Sequence, residues 1–475
     1  MKKLVLFSLI LAMFSVTSAS AATPHLVDVD VDFPAHGIFR TTLVFQEGQN
    51  PLNRFTMQHV RKVSLVKQRP LLLLSPFNAS LGHYELSTGG SYTESFIGNL
   101  AENGIDVWAL EDRFHRGTAD SCEAGRGNDC AVMATWDLHK RVEDAEFTRQ
   151  LILAATGGVK PVIGGNTGGG FAALAAINAY PTHYRGVYAS GSIFSNDPAV
   201  QARNRVFCEA FEAQLAAGQI FFDGLSQFTP IVAAARAAPN DPSSFAPGLT
   251  NFQFLVSLVS TPGLLGPNAF SDSYVFAAGN VGAGTLTYMN AHVFYSDFET
   301  FGTLISVQHF ADISCGMAGD TTYTGNLAAF KGAVKLLGTG QALGPMLQDT
   351  AALFTSASSV DVVINPQDGG EADNFLVEDA LRKQLTDNQL IPWIKAQFLS
   401  PRADRGASSL APSWGGNAST DVVRHASKPR RSMIGVFAYP FANGGMHGGI
   451  RTAVGDHHPL ERRSRSWPVF SVHSR

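Results

Sequence analysis

Cysteine is scarce in this chain, four in 475 residues at positions 122, 130, 208 and 315. None of the spacings between them resembles a zinc-ligand pair, so a structural metal is not expected to organise the fold. Charge is also thin, at 16% of residues. Residues 1–400 hold 24 Lys or Arg against 35 Asp or Glu, and an acidic body without a basic stripe argues against nucleic acid as a partner. Long apolar runs are nearly absent. The one that exists, Leu4 to Val16, falls short of the roughly 20 residues that a spanning helix needs. What is present is apolar material, 45% hydrophobic with 33 Phe and 46 Gly, which suffices for a large core and excludes disorder of the whole chain.

The two ends read differently from the body. Lys2 and Lys3, the apolar run and the small exit Ala19-Ser20-Ala21 make residues 1–21 a cleaved signal peptide, and the mature protein secreted or periplasmic. Export makes the cysteines candidates for disulfides. Cys122 and Cys130 bracket the short loop CEAGRGNDC and are the favoured pair. Cys208 and Cys315 then pair with each other or stay as buried thiols, since spacing does not choose among connectivities. Residues 401–475 carry eleven Lys or Arg against four Asp or Glu and little periodicity, as expected of a disordered basic tail. The abrupt change in charge and composition, just where a complete domain ends, is also what translation out of the original frame would leave.

Between these ends, LVDVDVDF, IFRTTLVF and HVRKVSLV alternate with period two, as antiparallel strands do. PLLLLSP reads as a strand buried on both faces, ESFIGNLAE as a helix, and IDVWAL as the next strand. A helix over WDLHKRVEDAEFTRQLILAA stops at Gly157-Gly158, and PVIGG, FAALAAINAY and RGVYASG continue as strand, helix, strand. Residues 196–325 break this rhythm and read as a helical insertion. The alternation resumes with AVKLLGTG, LQDTAALF, SVDVVINP and a last helix from about Ala372 through Trp393 to Leu399. The pattern predicts an α/β fold with a mostly parallel central sheet flanked by helices. Its parts are a core over 22–195 and 326–400 and a cap over 196–325.

The chemistry concentrates at Gly165-Asn166-Thr167-Gly168-Gly169, where a strand runs through a glycine-rich turn directly into a helix. That context fits a nucleophile elbow, Gly-x-Ser-x-Gly, with Thr167 at the serine position. The glycines do not fit a dinucleotide turn, because Thr167 occupies the second glycine position and no acid follows the next strand. No Gly-Lys-Ser or Gly-Lys-Thr is present for a P-loop, and no cofactor is implied.

Over residues 55–400 the chain resembles the α/β-hydrolase superfamily, in particular its capped esterase and lipase-like members. The resemblance implies oxyanion donors at the Phe77 and Gly168 N–H groups, in the loop Ser75-Pro76-Phe77 and at the elbow. It also implies an acid in the turn Gly338-Thr339-Gly340-Gln341, where Gln341 stands, and a histidine after Gly370, where Glu371 stands. Asp349 or Asp368 are alternative acids. With Thr167, Gln341 and Glu371 at the three triad positions, the Ser-His-Asp mechanism cannot operate. A threonine hydroxyl needs an adjacent base, and a β-branched residue is ill suited to the positive φ of an elbow. His83 and His115 follow central strands, and His115 beside Glu111 and Asp112 reads as a solvated charge network. His447, flanked by glycines, lies in the tail. The expectation is an esterase-like fold with a degenerate triad and an apolar pocket for a small ester-like or acyl ligand, or else a carboxylic-ester hydrolase using Thr167.

Overall fold

The computed structural model describes residues 23–399 apart from 65–66, 117–129, 224–227, 263–272, 303, 375–381 and 384. The signal peptide, the basic tail with His447, and Cys122 with its proposed bridge to Cys130 lie outside the described residues.

Nine strands form one sheet: β1 (His25–Ala35), β2 (Ile38–Gln46), β3 (Arg54–Lys62), β4 (Pro70–Leu74), β5 (Asp106–Leu110), β6 (Val162–Asn166), β7 (Gly186–Ser190), β8 (Ala333–Gly338) and β9 (Ser359–Ile364). Their order is β1-β2-β3-β5-β4-β6-β7-β8-β9. The first three are antiparallel and β5 onward are parallel. After β4 the chain moves to one side to make β5 and then crosses to the other to make β6. The crevice beyond the carboxyl ends at β4 and β6 is therefore the topological switch point, where open α/β sheets bind ligands.

The continuous apolar runs are explained by two covered faces. In β4 the odd leucines Leu71 and Leu73 join α1 (Phe96–Glu102) and α10 (Ile391–Ala396) in one core. The even ones, Leu72 and Leu74, join α2 (Leu138–Thr156), α3 (Gly168–Ala179) and α9 (Leu347–Ala352) in the other. Helix α2 is capped by the Asp137 carboxylate, which accepts from the Lys140 N–H at 2.6 Å, and ends on left-handed Gly157.

Two boundaries differ from the sequence reading. β3 begins at Arg54 and ends at Lys62, because a nine-residue pairing with β2 sets its register. The last helix starts later than expected: Glu371–Asn374 is a short 3-10 turn, and helical residues at 382, 383 and 385 run through a π-helical turn over Thr386–Leu390 into α10, with Pro392 just after that turn, where the regular hydrogen-bond ladder is already broken.

Between β7 and β8 lie α4 (Pro198–Ala216), α5 (Thr229–Ala237), α6 (Asn251–Ser260), α7 (Ala291–Phe298) and α8 (Val307–Met317), with two small two-stranded pairings. None of these strands joins the main sheet. A disulfide between Cys208 and Cys315 fastens α4 to α8. Glu212 lies beside it, but both sulfurs are committed to each other and offer no thiolate pair to a metal. Among the described residues no helix is long and apolar enough to cross a membrane.

Candidate functional site

Thr167 joins β6 to α3 at φ 44° and ψ −118°, a backbone conformation that only glycine adopts at ease. Three hydrogen bonds hold it there. Its N–H donates to the Ser190 carbonyl at 2.7 Å, and its own carbonyl accepts from Phe171 N–H at 3.0 Å and from Ser192 Oγ at 2.6 Å. Asn166, before it, is buried and donates its N–H to Tyr84 Oη at 3.3 Å, and that hydroxyl donates to the Leu74 carbonyl at 2.6 Å. The turn leaves no room for side chains. A Cβ on Gly169 would stand 2.1 Å from the Leu74 carbonyl oxygen, and one on Gly165 2.5 Å from the same atom.

Replacing Thr167 by glycine is expected to stabilise the fold by about 1–2 kcal/mol in urea unfolding. Relief of strain is worth about 1–3 kcal/mol, and the looser unfolded chain returns up to about 1. Serine at the same place should give a smaller gain.

The loop after β4 faces this turn. The Phe77 ring rests on Gly168, where an added Cβ would meet Phe77 Cδ1 at 2.5 Å. The N–H groups of Phe77 and Gly168 find no acceptor among the described residues. The loop itself is fixed from behind. Arg141 on α2, buried, donates to the Ser75 carbonyl and lies 3.2 Å from Asp112. Asp112 accepts from the N–H groups of Asn78 at 3.2 Å and Phe114 at 3.0 Å, and its own N–H donates to Ser75 Oγ at 2.9 Å. Asn78, at φ 38°, donates through Nδ2 to the carbonyls of Gly302 and Leu304, at 2.6 and 3.1 Å.

His309 on α8 packs edge-on against the Phe77 ring at 4.8 Å and is kept neutral by burial, which pushes it down to about 3. Asp112 is thus buried and paired, in contrast to the solvated network expected around it. The sequence signal for Arg141 was available: Arg141, Asp144 and Arg149 lie on the inward face of α2, and buried charges call for partners.

The expected triad positions are only partly brought together. Glu371 follows β9 and is 3% exposed, its carboxyl ending against Gly191, within the Ser190–Ser192 segment that bonds the Thr167 main chain. Burial alone pushes it up to about 8, so at neutral pH it is an uncharged acid. Gln341 enters through its main chain, donating to the Gly369 carbonyl and accepting from Val275, while its side chain is exposed. Asp349 accepts from Ser195 Oγ at 2.7 Å, and exposed Asp368 accepts from the Tyr288 hydroxyl. His83 is bonded through Nδ1 to Asp297 on α7 at 2.5 Å. His115 is half-buried and donates its N–H to the Asp112 carbonyl. Among the described residues none hydrogen-bonds the Thr167 hydroxyl.

No protein-family model matches the sequence, and no curated protein matches it either. Solved structures do. A proposed lipase from Sulfolobus solfataricus superposes with a TM-score of 0.56 at 15% identity, covering 79% of this chain and 99% of that one. The fold is that of the α/β-hydrolases. A soluble variant of monoglyceride lipase from Saccharomyces cerevisiae, in complex with a substrate analogue, also matches. It has a TM-score of 0.44 at 10% identity and covers 80% and 97% of the two chains, a likeness too loose to argue from. At such identities the α/β-hydrolase comparison speaks to architecture, and the site is argued from its own residues.

Proposed function

We propose that this is an exported, esterase- and lipase-like α/β-hydrolase-fold protein whose elbow binds a small apolar ester-like or acyl ligand without turning it over by a Ser-His-acid mechanism. In this reading residues 1–21 are removed on export, 196–325 form the cap, and Thr167, Gln341 and Glu371 occupy the triad positions. The supporting observation is Glu371: a buried, protonated carboxyl beside the elbow cannot take a proton from Thr167 at neutral pH. Ligand binding is supported by the acceptor-free N–H groups of Phe77 and Gly168 and by the aromatic surface next to them.

One observation favours a second reading, in which Thr167 is the nucleophile of a carboxylic-ester hydrolase. The elbow holds a β-branched residue at φ 44°, a strain that persists only where the surroundings impose it. Above its raised pKa of about 8, Glu371 would be a much stronger base than an ordinary carboxylate.

Hydrolysis of short and medium p-nitrophenyl esters by the full chain, Thr167→Ala and Thr167→Ser, at pH 7 and pH 9, separates the two. The expected result is a background rate that is the same in all three proteins at both pH values. Turnover that Thr167→Ala abolishes, rising through pH 8, would establish the hydrolase.

A further inference from the structure

The groups converging on the elbow are donors or uncharged acids. The Phe77 ring packs on Gly168, and the N–H groups of both residues have no acceptor among the described residues. The Thr167 hydroxyl is half-buried and hydrogen-bonded by none of the described residues. Helix α3, twelve residues long, points its amino end at the same spot, where its dipole favours negative charge. Arg141 and Asp112 stand behind the loop and are paired with each other. Beside the donors lies an aromatic surface: Phe77 stacks on Phe310 of α8 at 5.0 Å, and Phe310 meets Phe211 of α4 at 5.8 Å. The Glu371 carboxyl, with Oε1 buried and unbonded among the described residues, ends against Gly191, between Ser190 and Ser192, which bond the Thr167 main chain.

We propose that the elbow is a carboxylate-binding site, and that the ligand is a free acid with an apolar or aromatic body in preference to its ester. The inference rests on the binding reading above and adds the ligand's charge. A carboxylate offers two oxygens to the two N–H groups and the hydroxyl. Charge-assisted hydrogen bonds of this kind are roughly twice as strong as those to a neutral ester carbonyl. The apolar body lies along Phe77 and Phe310.

Glu371 admits the anion only while it is itself uncharged. Its burial keeps the proton on to about pH 8. The titratable groups facing it do not supply charge of their own in that range or are spoken for. The Tyr274 side chain is half-buried and its phenol held well above its ordinary value, by desolvation first and then by Glu371. Asp373, two residues on, is raised by burial to about 6 and spends Oδ2 on the N–H groups of Ala278 and Gly370. Asp368 is exposed and bonded by Tyr288.

The test is calorimetric titration of the full chain with hexanoate, methyl hexanoate and hexanol at pH 7 and pH 9, repeated with Thr167→Val and Glu371→Gln. Hexanoate is expected to bind at least about tenfold more tightly than the ester or the alcohol at pH 7, a difference of about 1.4 kcal/mol. Its affinity should fall about tenfold at pH 9 in the native chain, hold in Glu371→Gln, and be lower in Thr167→Val. Ester binding as tight as acid binding would overturn the carboxylate inference and leave the binding reading standing. Silence from all three compounds would take the binding reading down as well. Were Glu371→Gln not to fold, the ranking of the three compounds on the native chain at pH 7 would decide.

Discussion

Glu371→Gln should flatten the dependence of stability on pH, so that the difference in unfolding free energy between variant and native chain grows by on the order of 4 kcal/mol from pH 4 to pH 9. Below about pH 4.5, the ordinary value for the group, the folded and unfolded chains both hold the Glu371 proton, and the variant differs only by the constant cost of burying an amide. Between that value and the folded one of about 8, the unfolded chain has lost the proton and the folded chain keeps it. Folding must then take up a proton, and native stability falls as pH rises. Above 8 the folded chain ionises too and the slope ends. Asp373 and Asp312 are also raised by burial, each to about 6, so they add slope of the same sign that ends near pH 6. His139, raised above its ordinary value by its hydrogen bond to Glu143, adds slope above pH 6.5 in both proteins alike, so the difference between them from pH 6 to pH 8 belongs to Glu371. Urea unfolding at pH 5, 7 and 9 checks this, and parallel curves for the two proteins would mean that Glu371 is not held as a neutral acid.

What made the elbow legible in the sequence is that its geometry excludes side chains. Gly165 and Gly169 approach the Leu74 carbonyl so closely that a Cβ on either could not fit, so the glycine pattern survives as a local signature. Some strands were legible for a related reason: burial on two faces writes PLLLL, whereas LVDVDVDF alternates like a strand although β1 stays largely exposed, Val27 and Val29 included. The register of β3 was not local. It is set by β2, through a pairing whose partners, such as Thr41 and His59, carry no mark of each other in sequence.

The frame of the loop after β4 was illegible for the same cause on a larger scale. Ser75, Asp112, Arg141 and His309 come from four separate stretches of chain and meet only after the sheet has formed. A charge inside LEDRFHRG looks like a solvated one until Arg141 is placed against it. Gln341 shows the opposite error. Its position after β8 marked it as an acid equivalent, yet its exposed side chain leaves only the main chain joined to the loop that carries Glu371.

Arg141→Met is expected to cost about 3–5 kcal/mol of stability, because it leaves the buried Asp112 carboxylate without its counter-charge. Arg141 is 7% exposed and Asp112 6%, so little water can take over the pairing. The Ser75 carbonyl loses its donor in the same stroke. Asp112→Asn in the Arg141→Met background should recover part of the loss, since a neutral amide needs no counter-charge, and the remainder of the double-mutant cycle measures how strongly the two groups are coupled. The loss should also reach the site. The Asn78 N–H donates to Asp112, and Asn78 follows Phe77 directly in the loop whose N–H faces the elbow. Amide exchange at Asn78 should therefore quicken in Arg141→Met while exchange in α3, which hangs from β6, stays slow. A uniform change at all of these amides would instead mean that the pair supports the whole core and has no particular hold on the loop.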